Sequence, residues 1–190
     1  KSNEPTKVPY SNDTFKYYVI GEYDLEYDSV SAGVPSVSYF PFVAAGVPST
    51  PNPTGTSTAY NASVSNTEII VDWHLLTIAF QTATYASEFN TMPYTDWYVP
   101  SKDALSEAYQ ELSGVGELFF NYSYSGNTGH WTSSSGTTDA TKFWTVNLAT
   151  GQMAERGQYD VGGYKVRPVR TETTNEVYNV GDSAFGGIIW

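Results

Sequence analysis

Apolar positions recur along this chain with two different periods, and the switches between them divide it. Tyr17–Ile20 and Ser36–Phe42 read as short strands set among prolines. Between them Glu22, Asp24, Glu26 and Asp28 alternate with Tyr23, Leu25 and Tyr27, which in a strand puts the carboxylates on one face and the apolar side chains on the other. That row reads as a solvated face that discourages edge pairing, with attraction of a cation as the alternative. Val47–Ser57 is a Pro- and Gly-broken loop. From Leu75 the period lengthens: Ile78, Ala79, Thr82, Ala83, Ala86 and Phe89 form a helical stripe. A second helix is expected after Pro100, with Ser101 as N-cap, Asp103 in the first turn and Gly114 just past the end. Leu105, Tyr109 and Leu112 make its inward stripe. After Gly116 the period returns to two, giving a strand over Lys142–Leu148, a turn at Thr150-Gly151, a core strand over Gly163–Arg170, and a strand-like end, Phe185–Trp190. The fold class is α+β: a β- and loop-rich N-terminal region, then two helices with a twisted antiparallel sheet.

Composition narrows the function. The 190 residues include 30 aromatics, 16 of them Tyr, and 42 Ser and Thr against 29 charged residues. So many aromatics are incompatible with a disordered chain. Nine Lys and Arg within a net charge of −11 provide no basic face for phosphate, so no nucleic-acid partner is expected. The longest apolar stretch, Phe40–Val47, is interrupted by Pro41 and is far short of the roughly 20 residues of a membrane span. Cysteine is absent, so core packing must hold the fold. Ser, Thr, Tyr and Gly enrichment with little Lys or Glu points to an extracellular or virion surface. A start on Lys1 suits a processed product or part of a longer chain.

The sequence argues against catalysis. His74 and His130 are the only histidines, no Gly-x-Ser-x-Gly turn occurs, and the spacing suggests no zinc site. No catalytic residue, metal or cofactor is therefore expected. Phe119–Asp139 is the stretch rich in Tyr, Ser, Gly, Asn and Trp, the composition of a binding loop in which rigid aromatics supply area and small polar groups adapt. Within it Tyr122, Tyr124, Asn127 and His130 are the candidate ligand-binding residues, while Trp131 reads as structural. Trp97, Trp144, Arg167 and Arg170 read as scaffold, the arginines as partners for carboxylates.

Four segments in order carry a family resemblance: Asp96–Leu105 (DWYVPSKDAL), His130–Ser135 (HWTSSS), Phe143–Leu148 (FWTVNL) and Lys165–Arg170 (KVRPVR). Over about residues 66–170 the chain resembles the bacterial and phage domain family named after the C-terminus of the Legionella collagen-like protein and the Fibrobacter major paralogous domain. The resemblance implies a C-type-lectin-like fold, with residues 1–65 as a preceding Pro-rich region, 66–171 as the domain and 172–190 as a further strand. Ala104 stands where the family often has Glu, and His130 where it has an aromatic residue. The family's opening motif lies at the far end instead, as Tyr178–Trp190 (YNVGDSAFGGIIW). That segment is either the start of a further copy or an opening strand moved to the C-terminus; left unpaired it would be an aggregation hazard, so pairing in its own sheet or a neighbour's is expected. The second ligand carboxylate of calcium-dependent lectins is missing from Trp144–Leu148. The expected role is a non-enzymatic module of a phage virion, as fibre or capsid decoration, or of a bacterial extracellular protein. Its expected partners are a surface glycan or protein, other surface proteins or its own copies. The alternatives are a filament subunit that exchanges a terminal strand and, less favoured, a glycan-processing enzyme.

Overall fold

The computed structural model describes residues 8–10, 14–21, 53–77, 94, 96–114, 129–139, 141–158, 160, 164–185 and 187–190. The expected strand over Ser36–Phe42, the Glu22–Asp28 row and the stripe from Ile78 to Phe89 lie outside these residues. The fold is mixed α+β; the described residues form two helices and two antiparallel sheets where the sequence pattern suggested one sheet. The strands are β1 (Val8–Tyr10), β2 (Thr14–Gly21), β3 (Gly129–Ser135), β4 (Lys142–Asn147), β5 (Met153–Gly157), β6 (Val169–Thr174), β7 (Ser183–Ala184) and β8 (Gly187–Ile189). The helices are α1 (Ser63–Thr77), entered through a 3₁₀ turn at Tyr60–Ala62, and α2 (Lys102–Leu112).

β2 organises the larger sheet. Its alternation puts Tyr17 and Val19 on one face and Tyr18 and Ile20 on the other, and Tyr17, Val19 and Ile20 are wholly buried. One edge pairs with β6 from Phe15↔Thr174 to Ile20↔Val169. The opposite edge is shared by β1, from Val8↔Lys16, and β8, at Val19↔Ile189 and Ile20↔Ile188. Part of the Pro-rich N-terminal region therefore sits inside the sheet built by the end of the chain. The C-terminal segment is paired in its own sheet, as the hydrophobicity of Ile188, Ile189 and Trp190 demands. The second sheet has the order β3-β4-β5.

α2 lies between the two sheets. Ser101 caps it by accepting from the Ala104 amide, and the cluster around Leu105, Ala108 and Leu112 takes in Ile20, Val169, Ile188 and Trp190 from one sheet and Val146 from the other. This α2 start and stripe follow the sequence pattern, with Tyr109 half-buried at its edge. α1 lies ahead of the expected stripe, whose positions from Ile78 to Phe89 fall outside the described residues, and the hydrophobic pattern does not predict it. Its first two turns bury Ser63, Asn66 and Thr67, with Ile70 one turn further on. A helix whose inward stripe is polar is invisible to a hydrophobic period.

Those polar side chains are satisfied by a buried seam. Asn66 Oδ1 accepts from Ser57 N (2.8 Å), and its Nδ2 donates to Ser57 O (2.7 Å) and Ser133 Oγ (3.3 Å). Ser101 N donates to Ser63 Oγ (2.8 Å), Val99 N to Thr67 Oγ1 (3.1 Å) and Lys102 N to Ser134 Oγ (3.0 Å). Ser134 Oγ donates to Ser57 O (2.8 Å), and Thr56 Oγ1 to Ser135 Oγ (2.8 Å). Main-chain bonds continue the seam between sheets: Tyr98 and Val169 exchange both amide bonds at 2.9 Å, Ser133 N donates to Pro100 O, and Trp131 N donates to Lys165 O. Three of the four recognisable motifs thus meet here, and Trp97, Trp131, Arg167 and Arg170 are buried scaffold.

Arg170 locks the motif ends together. Its guanidinium donates to both Asp96 oxygens (2.8 and 3.0 Å) and to Glu172 (3.0 Å), and lies 4.1 Å from the Tyr94 ring centre. Its Nη1 also donates to the carbonyl of Phe185, which adopts a left-handed φ of 56°.

Two stability predictions follow from this packing. Asn66→Ala removes the acceptor of the Ser57 N–H and one of the two donors to the Ser57 carbonyl, the Ser134 hydroxyl remaining, and should cost roughly 1–2 kcal/mol by urea unfolding, while Asn66→Asp, which keeps the acceptor but buries a charge, should not rescue it. At Gly187 an added Cβ would fall onto the Ile20 carbonyl oxygen and against Val19. Gly187→Ala should therefore cost roughly 1–3 kcal/mol and lower the melting temperature; unchanged stability would mean that β8 is not seated on β2.

Candidate functional site

The larger of two concavities lined by described residues is on the face of the β3-β4-β5 sheet turned away from α2. Directly opposed residues in an antiparallel ladder share a face, so Gly129↔Asn147, Trp131↔Thr145, Thr145↔Ala154 and Phe143↔Arg156 line up on this one. Val146, on the other face, packs into the α2 core. Its lining combines small side chains (Gly129, Thr145, Ala154) with Asn147 and Gln152 in the row of Gly129, Arg156 in the row of Phe143, and Tyr164 on the segment that bonds to β3. Short residues between tall ones leave a groove of about 360 Å³.

Each wall is fixed by its own contacts. Asn147 Oδ1 accepts from Ala149 N (2.9 Å) and Thr150 N (3.2 Å), shaping the turn into β5, and Asn147 N donates to Gln152 O (2.8 Å). Gly151 completes that turn at φ 73°, where a side chain would meet the Tyr109 ring of α2 at 2.5 Å. At the other end the Tyr164 ring lies 4.8 Å from Trp131, and its hydroxyl donates to Asp160 (3.4 Å). The Arg156 guanidinium sits 5.9 Å from the Tyr164 ring centre on the exposed edge strand.

A carboxylate on the opposite face steadies β5. Glu155 accepts from the Thr137 amide (2.7 Å) and hydroxyl (2.8 Å), and from the Thr138 amide and hydroxyl. Desolvation pushes its pKa up, but these hydrogen bonds outweigh that and hold it below the ordinary Glu value.

A second hollow, of about 50 Å³, lies between Tyr18, Tyr60 and Tyr98, with Lys16 Nζ 5.7 Å from the Tyr18 ring centre. Burial pushes the Tyr98 hydroxyl up to about 12 and raises that of Tyr60 further. Its volume suits a water or two and no larger ligand.

Of the candidate ligand residues, Tyr122, Tyr124 and Asn127 lie outside the described residues. His130 is corrected: it is wholly buried in β3 opposite Val146, so its imidazole faces the interior and offers no surface contact. Its hydroxyl-rich surroundings look exposed in sequence because the seam that consumes those hydroxyls is assembled from distant segments. The groove begins at Gly129, directly after the stretch that holds the three remaining candidates. Sequence reasoning missed Arg156, Asn147 and Gln152; the local signal is the Asn-x-x-x-Gly turn, Asn147 to Gly151, that lifts two of them. Among the described residues no three His, Asp or Glu side chains converge as metal ligands, and no helix is long and apolar enough to cross a membrane. Comparison with protein-family models, with curated proteins and with solved structures finds no match for this chain.

The Glu155 hydrogen bonds predict a small acid-side effect. Because the folded pKa is depressed, the contribution is complete above about pH 4.5 and is lost as the pH falls through the folded value. Glu155 is largely solvated, so only a few tenths of a kcal/mol are at stake. Glu155→Gln should flatten the acid limb of a stability–pH curve and leave stability at pH 7 slightly lower; an unchanged acid limb would refute the assignment.

Proposed function

We propose that this protein is a non-enzymatic, C-type-lectin-like surface module of a phage virion or bacterial extracellular protein, and that it adheres to a glycan through the β4–β5 groove. The observation that carries the reading is the groove's lining. Amide groups from Asn147 and Gln152 and a guanidinium from Arg156 stand around a floor of small residues, a set of donors and acceptors that sugar hydroxyls can meet. The lining holds no carboxylate and no imidazole among the described residues. Glycoside hydrolysis needs two carboxylates flanking the bond, so binding without turnover fits the lining better than processing. The motif series and the surface-type composition support the extracellular or virion setting. Pairing of β8 with β2 inside one chain favours this role over a filament subunit that donates its terminal strand.

Filling the groove tests the proposal. Ala154→Phe on the exposed edge strand should leave the melting temperature within a few degrees of wild type and reduce binding to arrayed oligosaccharides at least about tenfold, as expected when a central contact site is occluded. Gln152→Ala, which removes an amide without adding bulk, should weaken the same oligosaccharides less. Equal binding by wild type and both variants, or no binding to any oligosaccharide, would overturn the proposal.

A further inference from the structure

Arg156 stands apart from the paired cations of this acidic chain. Lys102 lies 3.1 Å from Asp103, Lys142 3.8 Å from Asp139, and Arg170 2.8 Å from Asp96. Arg156 has no ion pair among the described residues, although the chain carries 20 carboxylates to choose from. Arg156 is exposed and lines the groove, with its guanidinium 5.9 Å from the Tyr164 ring centre. A guanidinium carries a planar fork of donors that matches a carboxylate bidentately. At the far end of the groove Asn147 spends its Oδ1 on the turn, so its Nδ2 donors remain for a ligand.

From this arrangement we infer that the groove selects a carboxylate-bearing glycan, with Arg156 as the anion anchor and Asn147 and Gln152 reading the neighbouring hydroxyls. The inference rests on the groove being the glycan site proposed above. The length fits: the Phe143↔Arg156 and Gly129↔Asn147 rows are four β4 residues apart, about 13 Å at roughly 3.3 Å per residue. One end of a short oligosaccharide then meets the guanidinium while the other meets the amides. An acidic peptide would supply the same carboxylate, but the small, flat floor of Gly129, Thr145 and Ala154 offers no pocket for its alternate side chains.

The test uses the full chain on arrayed neutral, uronate-bearing, sialylated and sulfated oligosaccharides, with a pentaglutamate peptide alongside. Uronate or sialylated oligosaccharides should bind at least about tenfold more tightly than their neutral counterparts, the scale of a charge-assisted bidentate contact. Arg156→Gln should erase that preference, weakening carboxylate-bearing oligosaccharides far more than neutral ones with the melting temperature unchanged, and Arg156→Lys, which keeps the charge without the fork, should retain only part of it. Neutral or sulfated oligosaccharides bound as tightly as the carboxylates, a preference that survives Arg156→Gln, or tighter binding of pentaglutamate would overturn the inference and leave the groove in place as a site. If no oligosaccharide binds, or Ala154→Phe does not weaken binding, the groove itself fails as the glycan site and the inference fails with it.

Discussion

A buried Asn that must satisfy both its acceptor and its donors holds this fold in register. Asn66 grips the Ser57 peptide from both sides and reaches Ser133 in the second sheet. Around it the hydroxyls of Ser63, Thr67, Ser101 and Ser134 each take or give a bond to a different segment. In a dry interior an unmade hydrogen bond costs more than a made one contributes, so such a seam specifies geometry more strictly than apolar contact does. It explains how a chain without cysteine keeps two sheets and two helices in a single arrangement. It also explains the abundance of Ser and Thr in segments that are buried.

The larger sheet imposes a second constraint. β2 is paired along both edges, by β6 on one side and by β1 and β8 on the other, and it is buried on both faces. Its neighbours come from opposite ends of the sequence, so the sheet closes only when the last residues arrive. Gly187 makes that arrival geometrically feasible, since its backbone lies against the Ile20 carbonyl where a side chain has no room. Arg170 then ties the incoming turn to the Asp96 segment, through a side chain that is only 5% exposed while Asp96 is 56% exposed. Its charge is satisfied at the boundary of the core, where the desolvation cost of a fully buried pair is avoided.

The groove follows from the same architecture. β4 presents alternate faces to different environments: Val146 enters the α2 core, while Thr145 and Asn147 look outward. On the face away from α2 the Trp131 and Phe143 rings are buried, and small residues between taller ones leave a hollow there. Tyr109 and Gly151 fix one wall, Trp131 and Tyr164 the other. A rigid, pre-shaped lining loses little entropy on binding, the condition under which a few polar contacts can give selectivity.

The sequence by itself determined the α+β class, the α2 helix with its Ser101 cap and Leu105–Leu112 stripe, the β4 strand, the Gly151 turn and the need to pair the C-terminal strand. These are local or periodic properties, set by capping, turn chemistry and alternation over neighbouring residues. The scaffold role of Trp97, Trp131 and Arg170 was legible because motif order and residue type pointed to it. That Ser63–Thr77 is a helix, that the described strands form two sheets, that His130 is interior, and that Arg156, Asn147 and Gln152 share a groove is decided only in three dimensions. In each case the deciding partner is distant along the chain: Ser57 and Ser133 for the polar face of α1, Lys165 for β3, Tyr164 for Arg156. A polar residue carries no mark in sequence of whether water or another segment will satisfy it, and here that choice separates the buried seam from the exposed groove.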